Sequence, residues 1–428
     1  MARFPRAVAA PAALGHGEKA RTAQAAWAAR PLAERLRIVR GLRHAIAENA
    51  AVLVRAAGGE HGRPETEILS SEVVPLAEAC RFLERAAPRL LATRRLGADG
   101  RPAWLAGVET EVRREPLGIV LVIAPSNYPL FLPGVQTAQA LAAGNAVLWK
   151  PGRGGSAAAW AFLALTRAAG LPPGLLTVLP EAAEAAREAI AAGVDKVLLT
   201  GSAATGHEVL PELARRLIPA VAELSGDDPL FVLPGADLDR VARALRFGRA
   251  LNGGETCIAP RRVLVPRDLI PPLRGRLAAL GVEAPLIPVE NAEAALAEAR
   301  RSPYALGASV FGPEEEAVAL AGRIRAGVVV VNDLIVPTAD PRLPFGGRGE
   351  SGYGVTRGAE GLLELTAPKV VAVRRSRRLF HLEESHPVDA DLFRAYLTLT
   401  HAGGLRARLR GAADLLRSLA GRGRARRT

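Results

Sequence analysis

Apolar residues recur at helical spacing through the first hundred residues of the chain. One set contains Leu32, Leu36, Ile38, Val39, Leu42 and Ile46, and a second contains Val74, Leu76, Ala79, Cys80 and Leu83. This period predicts amphipathic helices. The helical pattern stops at residues 97–101, which include two glycines. Residues 103–114, with Gly107 in their interior, then predict an extended hairpin.

Short apolar runs alternate with longer helical patterns from residue 118 onward. Strands are predicted at 118–124, 145–150, 175–180, 196–201 and 220–224, and helices at 132–142, 156–169, 182–192 and 204–217. This alternation indicates a parallel sheet covered on both faces, which is an α/β fold. Right-handed connections make it a doubly wound sheet. A second α/β stretch has predicted strands at 230–233, 261–266, 286–289, 307–311 and 328–332.

Composition excludes some classes of protein. Hydrophobic residues make up 49% of the 428 residues, so a wholly disordered chain is excluded. The formal net charge is +13, but the charge is uneven. Residues 401–428 hold eight arginines and one acid, Asp414, which is a net +7. Because the rest of the chain is only mildly basic, no nucleic-acid partner is expected.

The cysteine content indicates an intracellular protein. Cys80 and Cys257 are the two cysteines, which is too few for a disulfide framework, and no metal site is expected. The apolar run at 7–14 is short and broken by Pro11, so a signal peptide is not favoured. The apolar region 118–149 contains several prolines and polar residues and is interpreted as buried strand, loop and helix. We expect a cytoplasmic location.

Polar residues lie at the end of, or directly after, four of the predicted strands. Ligands of open α/β sheets bind beyond the carboxyl ends of the strands. These positions hold Asn127, Lys150, the 201–206 turn and Glu223, and Cys257 separately follows two glycines. Taken singly, each has an ordinary structural explanation, such as a small buried side chain for Cys257 or a turn residue for Asn127.

Taken together and in order, several segments resemble the aldehyde dehydrogenase superfamily. The resemblance covers roughly residues 30–375. Its segments are EPLGIVLVIAPSNYPL (115–130), GNAVLWKP (144–151), LTGSAATG (199–206), ELSGDDP (223–229), ADLD (236–239), NGGETC (252–257), SPYALGASVFG (302–312) and LPFGGRGESGYG (343–354).

The resemblance implies a role for each matching residue. Cys257 would be the nucleophile that attacks the aldehyde carbonyl. Asn127 would hold the resulting oxyanion with its side-chain amide, and Glu223 would activate water to hydrolyse a thioester. NAD or NADP is the implied cofactor. Its binding residues would be Lys150, Arg153, Thr200, Gly201, Ser202 and Gly206.

The resemblance also implies a domain organisation. An NAD(P)-binding domain would comprise residues 1–102 and 118–225, and a catalytic domain residues 226–362. A small oligomerisation element would combine residues 103–117 and 363–375, and a basic extension would follow at 376–428. An exposed element of this kind needs a partner, so a homodimer or larger assembly is expected.

Three features depart from the family pattern. Arg153 stands where many members have a glutamate that grips the adenine ribose, and an arginine could instead pair with the 2′-phosphate of NADP. The stretch between Cys257 and Ser302 is shortened, and Gly281 falls where a nicotinamide-binding glutamate belongs. Ser225, Asp227 and Glu255 replace residues beside the implied catalytic groups, and the charge of Glu255 would raise the pKa of the thiol if the two are close.

The sequence therefore predicts NAD(P)-dependent oxidation of an aldehyde to a carboxylic acid. Two alternatives stay open: a weak or inactive relative that acts in binding or assembly, and a reductase that forms an aldehyde from an acyl donor. In the tail, Leu405, Leu409, Leu416 and Leu419 fall on one face of a basic helix. A solvated or partner-packed terminal helix is favoured over association with a membrane surface.

Overall fold

The computed structural model of the chain describes residues 11–58, 62–375 and 379–425. It divides into unit 1, Met1–Arg94 with Val112–Val370, and unit 2, Arg95–Glu111 with Val371–Thr428. Both predicted α/β stretches fall in unit 1, and their separation into an NAD(P)-binding and a catalytic domain stays a prediction. The first ten residues of the former, and Arg426 and Arg427 of the tail, lie outside the described residues.

Five helices form the N-terminal part of unit 1, as the helical periodicity predicts. They are α1 (Pro11–Ala28), α2 (Leu32–Glu48), α3 (Ala50–Gly58), α4 (Glu65–Ile68) and α5 (Val74–Leu90). A π-helical turn, Leu69–Val73, joins α4 to α5. Leu36, Val39, Leu42 and Ile46 of α2 are all buried, so the apolar face of this helix packs inward.

A small sheet has the strand order β1-β2-β16. Its strands are β1 (Arg94–Leu96), β2 (Val108–Pro116) and β16 (Thr366–Arg374). The predicted hairpin over 103–114 is wrong: Ala103–Leu105 is a 3₁₀ turn, and the neighbours of β2 in the sheet are β1 and β16. All three residues of β1 are exposed, so no alternation of apolar and polar residues marks this strand in the sequence.

The first α/β stretch forms a parallel sheet, which confirms the predicted fold class. Its strands are β3 (Ile119–Ile123), β4 (Ala146–Lys150), β5 (Leu176–Val178), β6 (Lys196–Thr200) and β7 (Ala220–Glu223), in the order β7-β6-β3-β4-β5. The helices that follow these strands are α6 (Phe131–Ala143), α7 (Ser156–Ala168), α8 (Ala183–Ala192) and α9 (Ala203–Arg215). The chain runs outward from β3 in both directions, so the topological switch point lies at β3.

The second stretch forms another parallel sheet, in the order β10-β9-β8-β12-β13. Its strands are β8 (Asp228–Val232), β9 (Pro260–Pro266), β10 (Leu286–Val289), β12 (Gly307–Phe311) and β13 (Val328–Val331). Its helices are α10 (Leu238–Ala250), α11 (Ile270–Ala279), α12 (Ala292–Ala299) and α13 (Glu314–Ala321). Leu286 still pairs with Val263, so the shortened segment completes a βαβ crossover.

Each sheet has its own apolar core. One cluster fills the first α/β stretch and the N-terminal helices, and it includes Trp149 and Phe162, whose ring centroids are 5.3 Å apart. Two further clusters lie on the second sheet, one around Leu230 and the other around Phe231. These are adjacent residues of β8, so their side chains point to opposite faces, and both faces of this sheet are covered.

Four short elements complete unit 1. They are β11 (Tyr304–Ala305), β14 (Arg348–Gly349), β15 (Gly352–Tyr353) and α14 (Gly358–Leu363). β15 pairs antiparallel with β7, where Gly352 lies opposite Glu223. This pairing brings the segment around residue 352 to the edge of the first sheet, next to an implied catalytic residue.

The tail of unit 2 contains the predicted basic helix. Two helices follow β16, α15 (Pro387–His401) and α16 (Leu405–Ala425). Within the described residues, no helix combines the length and the apolar composition needed to cross a membrane.

Candidate active site

A cavity of about 1160 Å³ opens at the carboxyl ends of β3, β4, β6 and β7. Eight of the nine predicted site residues line it: Asn127, Lys150, Arg153, Thr200, Gly201, Ser202, Glu223 and Cys257. The ninth, Gly206, is not a lining residue. A Cβ at this position would lie 2.7 Å from Cδ1 of Leu224, so glycine here lets α9 pack closely.

A tight turn places Cys257 on the cavity. Asn252, Gly253 and Gly254 all have left-handed backbone angles, with φ of 53°, 60° and 82°. Glycine and asparagine are the residues that tolerate this region, which is why the sequence Asn-Gly-Gly folds in this way. The turn ends three residues before Cys257, whose side chain is partly exposed to the cavity.

Hydrogen bonds fasten this turn to the segment that carries Asn127. The Asn127 side-chain amide donates to the carbonyl oxygen of Glu255 at 2.7 Å. The Asn252 amide donates to the carbonyl oxygen of Asn127 at 2.8 Å, and the hydroxyls of Tyr128 and Thr256 are 2.7 Å apart. Since an amide nitrogen carries two hydrogens, Asn127 keeps one for a ligand.

A buried charge network contacts both the segment that carries Asn127 and the turn before Cys257. Arg63 donates to Glu72 at 2.6 Å and to Glu67 at 3.0 Å. The second Glu72 oxygen accepts from the backbone N–H of Leu130 at 2.8 Å, which ties the network to the start of α6. Sequence analysis missed this network. Glu72 lies four residues from both Ile68 and Leu76, so a carboxylate on the apolar face was an available signal.

Replacing Glu72 by glutamine is expected to lower the free energy of unfolding by about 3 kcal/mol, because the buried Arg63 would lose one of its two carboxylate partners. Glu78, whose side chain is 49% exposed, supplies the matched control. Glu78→Gln should change the free energy of unfolding by less than about 0.5 kcal/mol. Urea denaturation measures both, and equal midpoints for the two variants would contradict a supporting role for Glu72.

Glu223 ends β7 and is almost fully buried. Its carboxylate accepts a hydrogen bond from the Thr356 hydroxyl at 3.2 Å. Burial raises the pKa of Glu223, and the positive charge of Arg357 opposes that shift. Arg357 itself is buried and lies 4.4 Å from the ring centroid of Phe345. A carboxylate with a raised pKa suits a general base that operates near neutral pH.

Burial also raises the pKa of the Cys257 thiol, and the charges of Glu223 and Asp228 raise it further. Arg357 and the backbone N–H of Ile258 act in the opposite direction. The sequence predicted that the charge of Glu255 would raise the pKa of the thiol if the two were close. Glu255 is exposed and is not among the causes of this shift. Cys257 and Glu223 therefore lie close enough to interact electrostatically, and both line the cavity.

The opposite part of the cavity has features that fit a dinucleotide. The half-buried Lys150 ammonium makes no hydrogen bond with any described residue, and burial lowers its pKa. The Ser202 hydroxyl accepts from the Thr205 N–H at 3.1 Å and caps the N-terminus of α9, where a phosphate is favoured. A Cβ at Gly152 would lie 2.3 Å from the Pro125 carbonyl, so only glycine allows these loops to meet.

Glu181 is a lining residue that sequence analysis missed. It follows β5, and its two carboxylate oxygens accept from the backbone N–H groups of Gly154 and Ser156, each at 2.9 Å. The hydrogen bond from the Ser156 side chain and these backbone bonds lower the pKa of Glu181. Because ligands of open α/β sheets bind beyond the carboxyl ends of the strands, the position of Glu181 after β5 is a signal in the sequence for this residue.

Comparison with known proteins identifies a family. The sequence profile of the Aldehyde dehydrogenase family matches residues 2–283 and 280–371. The match breaks at 280–283, in the loop between α11 and β10 where the sequence is shortened.

Named relatives cover most of the chain. A protein of Mycolicibacterium smegmatis, provisionally named succinate-semialdehyde dehydrogenase [NADP(+)], is 30% identical and matches 83% of each chain. A 4,4'-diapolycopene aldehyde oxidase of Methylomonas sp is 27% identical over 84% of this chain and 81% of its own length. A protein of Mycobacterium ulcerans, also provisionally named a succinate-semialdehyde dehydrogenase [NADP(+)], aligns over 459 positions. Because this chain has 428 residues, that alignment contains gaps in this chain.

Solved structures share the fold. The NADP-dependent glyceraldehyde-3-phosphate dehydrogenase from Bacillus halodurans, complexed with NADP, superposes with a TM-score of 0.79. It is 24% identical and covers 85% of this chain and 91% of its own. An aldehyde dehydrogenase from Mycobacterium tuberculosis, complexed with NAD+, gives a TM-score of 0.75 at 24% identity, with coverages of 85% and 90%.

Proposed function

The chain belongs to the aldehyde dehydrogenase family, and on that premise we propose that Cys257, Asn127 and Glu223 oxidise an aldehyde to a carboxylic acid. One observation carries this proposal: sulfur, amide and carboxylate come from three distant segments and line a single cavity, together with the dinucleotide-fitting residues. The net reaction consumes aldehyde, NAD(P)+ and water, and yields acid, NAD(P)H and a proton.

The protein's own groups perform the steps on the substrate carbonyl. The Cys257 thiolate attacks the carbonyl carbon, and the second hydrogen of the Asn127 amide, with the Cys257 backbone N–H, stabilises the oxyanion. One such donor is typically worth about 3 kcal/mol. Lys150 and Ser202 would hold NAD or NADP, which would supply the acceptor for the hydride of the substrate carbon. Glu223 then takes a proton from water, which attacks the resulting thioester; the acid and the Cys257 thiolate are released, and Glu223 passes its proton to solvent.

Glu223 favours hydrolysis over acyl transfer. A buried carboxylate with a raised pKa can hold the proton of the attacking water, whereas transfer to another acceptor does not need this base. The competing function, a binding protein without turnover, is favoured by the shortened segment with Gly281 in place of a glutamate.

A direct assay separates these functions. Purified protein with NAD or NADP and a panel of aldehydes, including succinate semialdehyde and a long apolar aldehyde, should produce the absorbance of the reduced nicotinamide. Cofactor binding without turnover on any aldehyde would favour the binding protein. Turnover only of an acyl thioester with NADPH would favour the reductase.

Arg153 is proposed to bind the 2′-phosphate of NADP. It lines the cavity beside Lys150, and Glu181 is engaged by the backbone of the same loop. Arg153→Ala is expected to raise the KM for NADP about tenfold or more and to leave the KM for NAD nearly unchanged, because one charge-assisted pair is lost. Steady-state kinetics with both cofactors measure this. Arg167→Ala, on the exposed side of α7, is the control. If Arg153→Ala did not change the preference between NADP and NAD, the assignment would be wrong.

The assembly and location are also proposals. The edge strand β16 exposes Val370 (64%) and Val373 (41%), and an exposed apolar edge supports a homodimer or larger assembly. Cys80 and Cys257 are both free thiols, which supports a cytoplasmic location.

A further inference from the structure

The two C-terminal helices bury their small residues against each other. A Cβ at Gly411 would lie 2.5 Å from the backbone nitrogen of Leu399, so α16 approaches the backbone of α15 closely at this glycine. Ala395 of α15 is buried, and Arg422 of α16 forms an ion pair with Asp389 at 2.7 Å. The face of α16 that meets α15 therefore carries Gly411, Arg422 and the half-buried Leu415, which lies about 40° from Gly411 around the helix.

The other four leucines of α16 lie on a different side of the helix. At 100° per residue, they fall within about 80° of one another and form what we call the leucine face. Its members and their exposed fractions are Leu405 (73%), Leu409 (60%), Leu416 (69%) and Leu419 (50%). Four large apolar side chains in one exposed stripe are unfavourable in water and mark a binding surface.

Arginines border the leucine face on both sides. Arg406, Arg410 and Arg417 follow one flank, and Arg408 lies on the other. Arg406 and Arg410 form no ion pair with any described residue, whereas Arg417 pairs with Asp414. This one acid leaves the surface strongly positive.

The charge decides between two occupants of this surface. A second copy of the leucine face would bring its own arginines against these, and like charges repel. An anionic lipid surface instead offers acyl chains for the leucines and phosphates for the arginines. We propose that α16 binds an anionic lipid bilayer through its leucine face, with the helix axis parallel to the membrane plane.

The dimensions of α16 agree with surface binding. Its 21 residues give a length of about 31 Å at 1.5 Å per residue, and the four leucines of the leucine face lie on one side of that length. The charged flanks would keep the helix at the headgroup level, and its arginines prevent it from spanning the bilayer. The proposal concerns the association of the enzyme with a surface and does not depend on its catalytic activity.

Flotation of the full chain with lipid vesicles tests the proposal. The protein should float with phosphatidylcholine vesicles that contain phosphatidylglycerol, and its affinity for pure phosphatidylcholine should be about one tenth of its affinity for these vesicles or less, because the arginines lose the anionic headgroups. Leu409→Glu with Leu416→Glu should lower the affinity for anionic vesicles about 100-fold or more, because two anchors become anions. Salt at about 0.5 M should weaken binding by screening the arginines.

The control is a matched pair on unit 1, Leu217→Glu with Val318→Glu, since these residues are also exposed (90% and 55%). This pair should bind vesicles as the unchanged protein does. Equal thermal midpoints would show that all variants fold. Failure of the unchanged chain to float, or equal binding by both double variants, would overturn the proposal. If no protein bound vesicles, but light scattering showed that Leu409→Glu with Leu416→Glu changed the oligomeric state, the leucine face would be assigned to a second copy instead.

Discussion

Replacing Cys257 by alanine is expected to lower the rate of aldehyde oxidation by at least about 10⁵-fold, because no covalent intermediate can form without the nucleophile. Binding of NAD or NADP should be retained, since Lys150 and Ser202 lie on other strand ends. Steady-state production of reduced cofactor measures the rate, and equilibrium titration measures the binding.

The second cysteine provides the control for this experiment. Cys80 is fully buried in α5 and is not among the residues that line the cavity, so its thiol cannot reach the substrate. Cys80→Ala should cost about 1 kcal/mol of stability and leave the rate nearly unchanged. If Cys257→Ala retained more than a small fraction of the activity, the Cys257 sulfur would not be the nucleophile.

Glu223→Gln is expected to lower steady-state turnover about 10³-fold and to preserve the first hydride transfer. Glutamine cannot accept the proton of the attacking water, so the thioester should accumulate after one turnover. Rapid mixing of enzyme, cofactor and aldehyde should then show a burst close to one reduced nicotinamide per active site, followed by a slow phase.

An exposed glutamate of the same unit serves as the control. Glu360, in the short helix α14, is exposed, and Glu360→Gln should leave both phases unchanged. Loss of the burst together with turnover in Glu223→Gln would show that this carboxylate acts before hydride transfer, and the assignment as the hydrolytic base would then be wrong.

The sequence predicts the site where local patterns determine it. Asn127, Lys150 and Glu223 each follow an apolar run that is long enough to define a buried strand, and parallel strands bring their carboxyl ends to one edge. The turn before Cys257 is also local, because Asn-Gly-Gly tolerates left-handed backbone angles. These residues line one cavity, and local sequence patterns are enough to predict that they do.

Other features depend on contacts between distant residues. The hydrogen bond from the Leu130 N–H to Glu72 joins positions 58 residues apart, and the sequence around Leu130 does not predict it. β1 is a strand because it pairs within a sheet, not because its exposed residues favour one. The helix α16 was predictable from its leucines, but only the packing of Gly411 against α15 shows which face is left exposed.

The most direct test is the mass of the peptide that carries Cys257, isolated from Glu223→Gln after reaction with an aldehyde and NAD or NADP. The account predicts that residues 250–261 gain the mass of the aldehyde less two hydrogens, and that hydroxylamine removes this acyl group. Reduced cofactor formed while Cys257 stays unmodified, or an adduct on Cys80 instead, would contradict it.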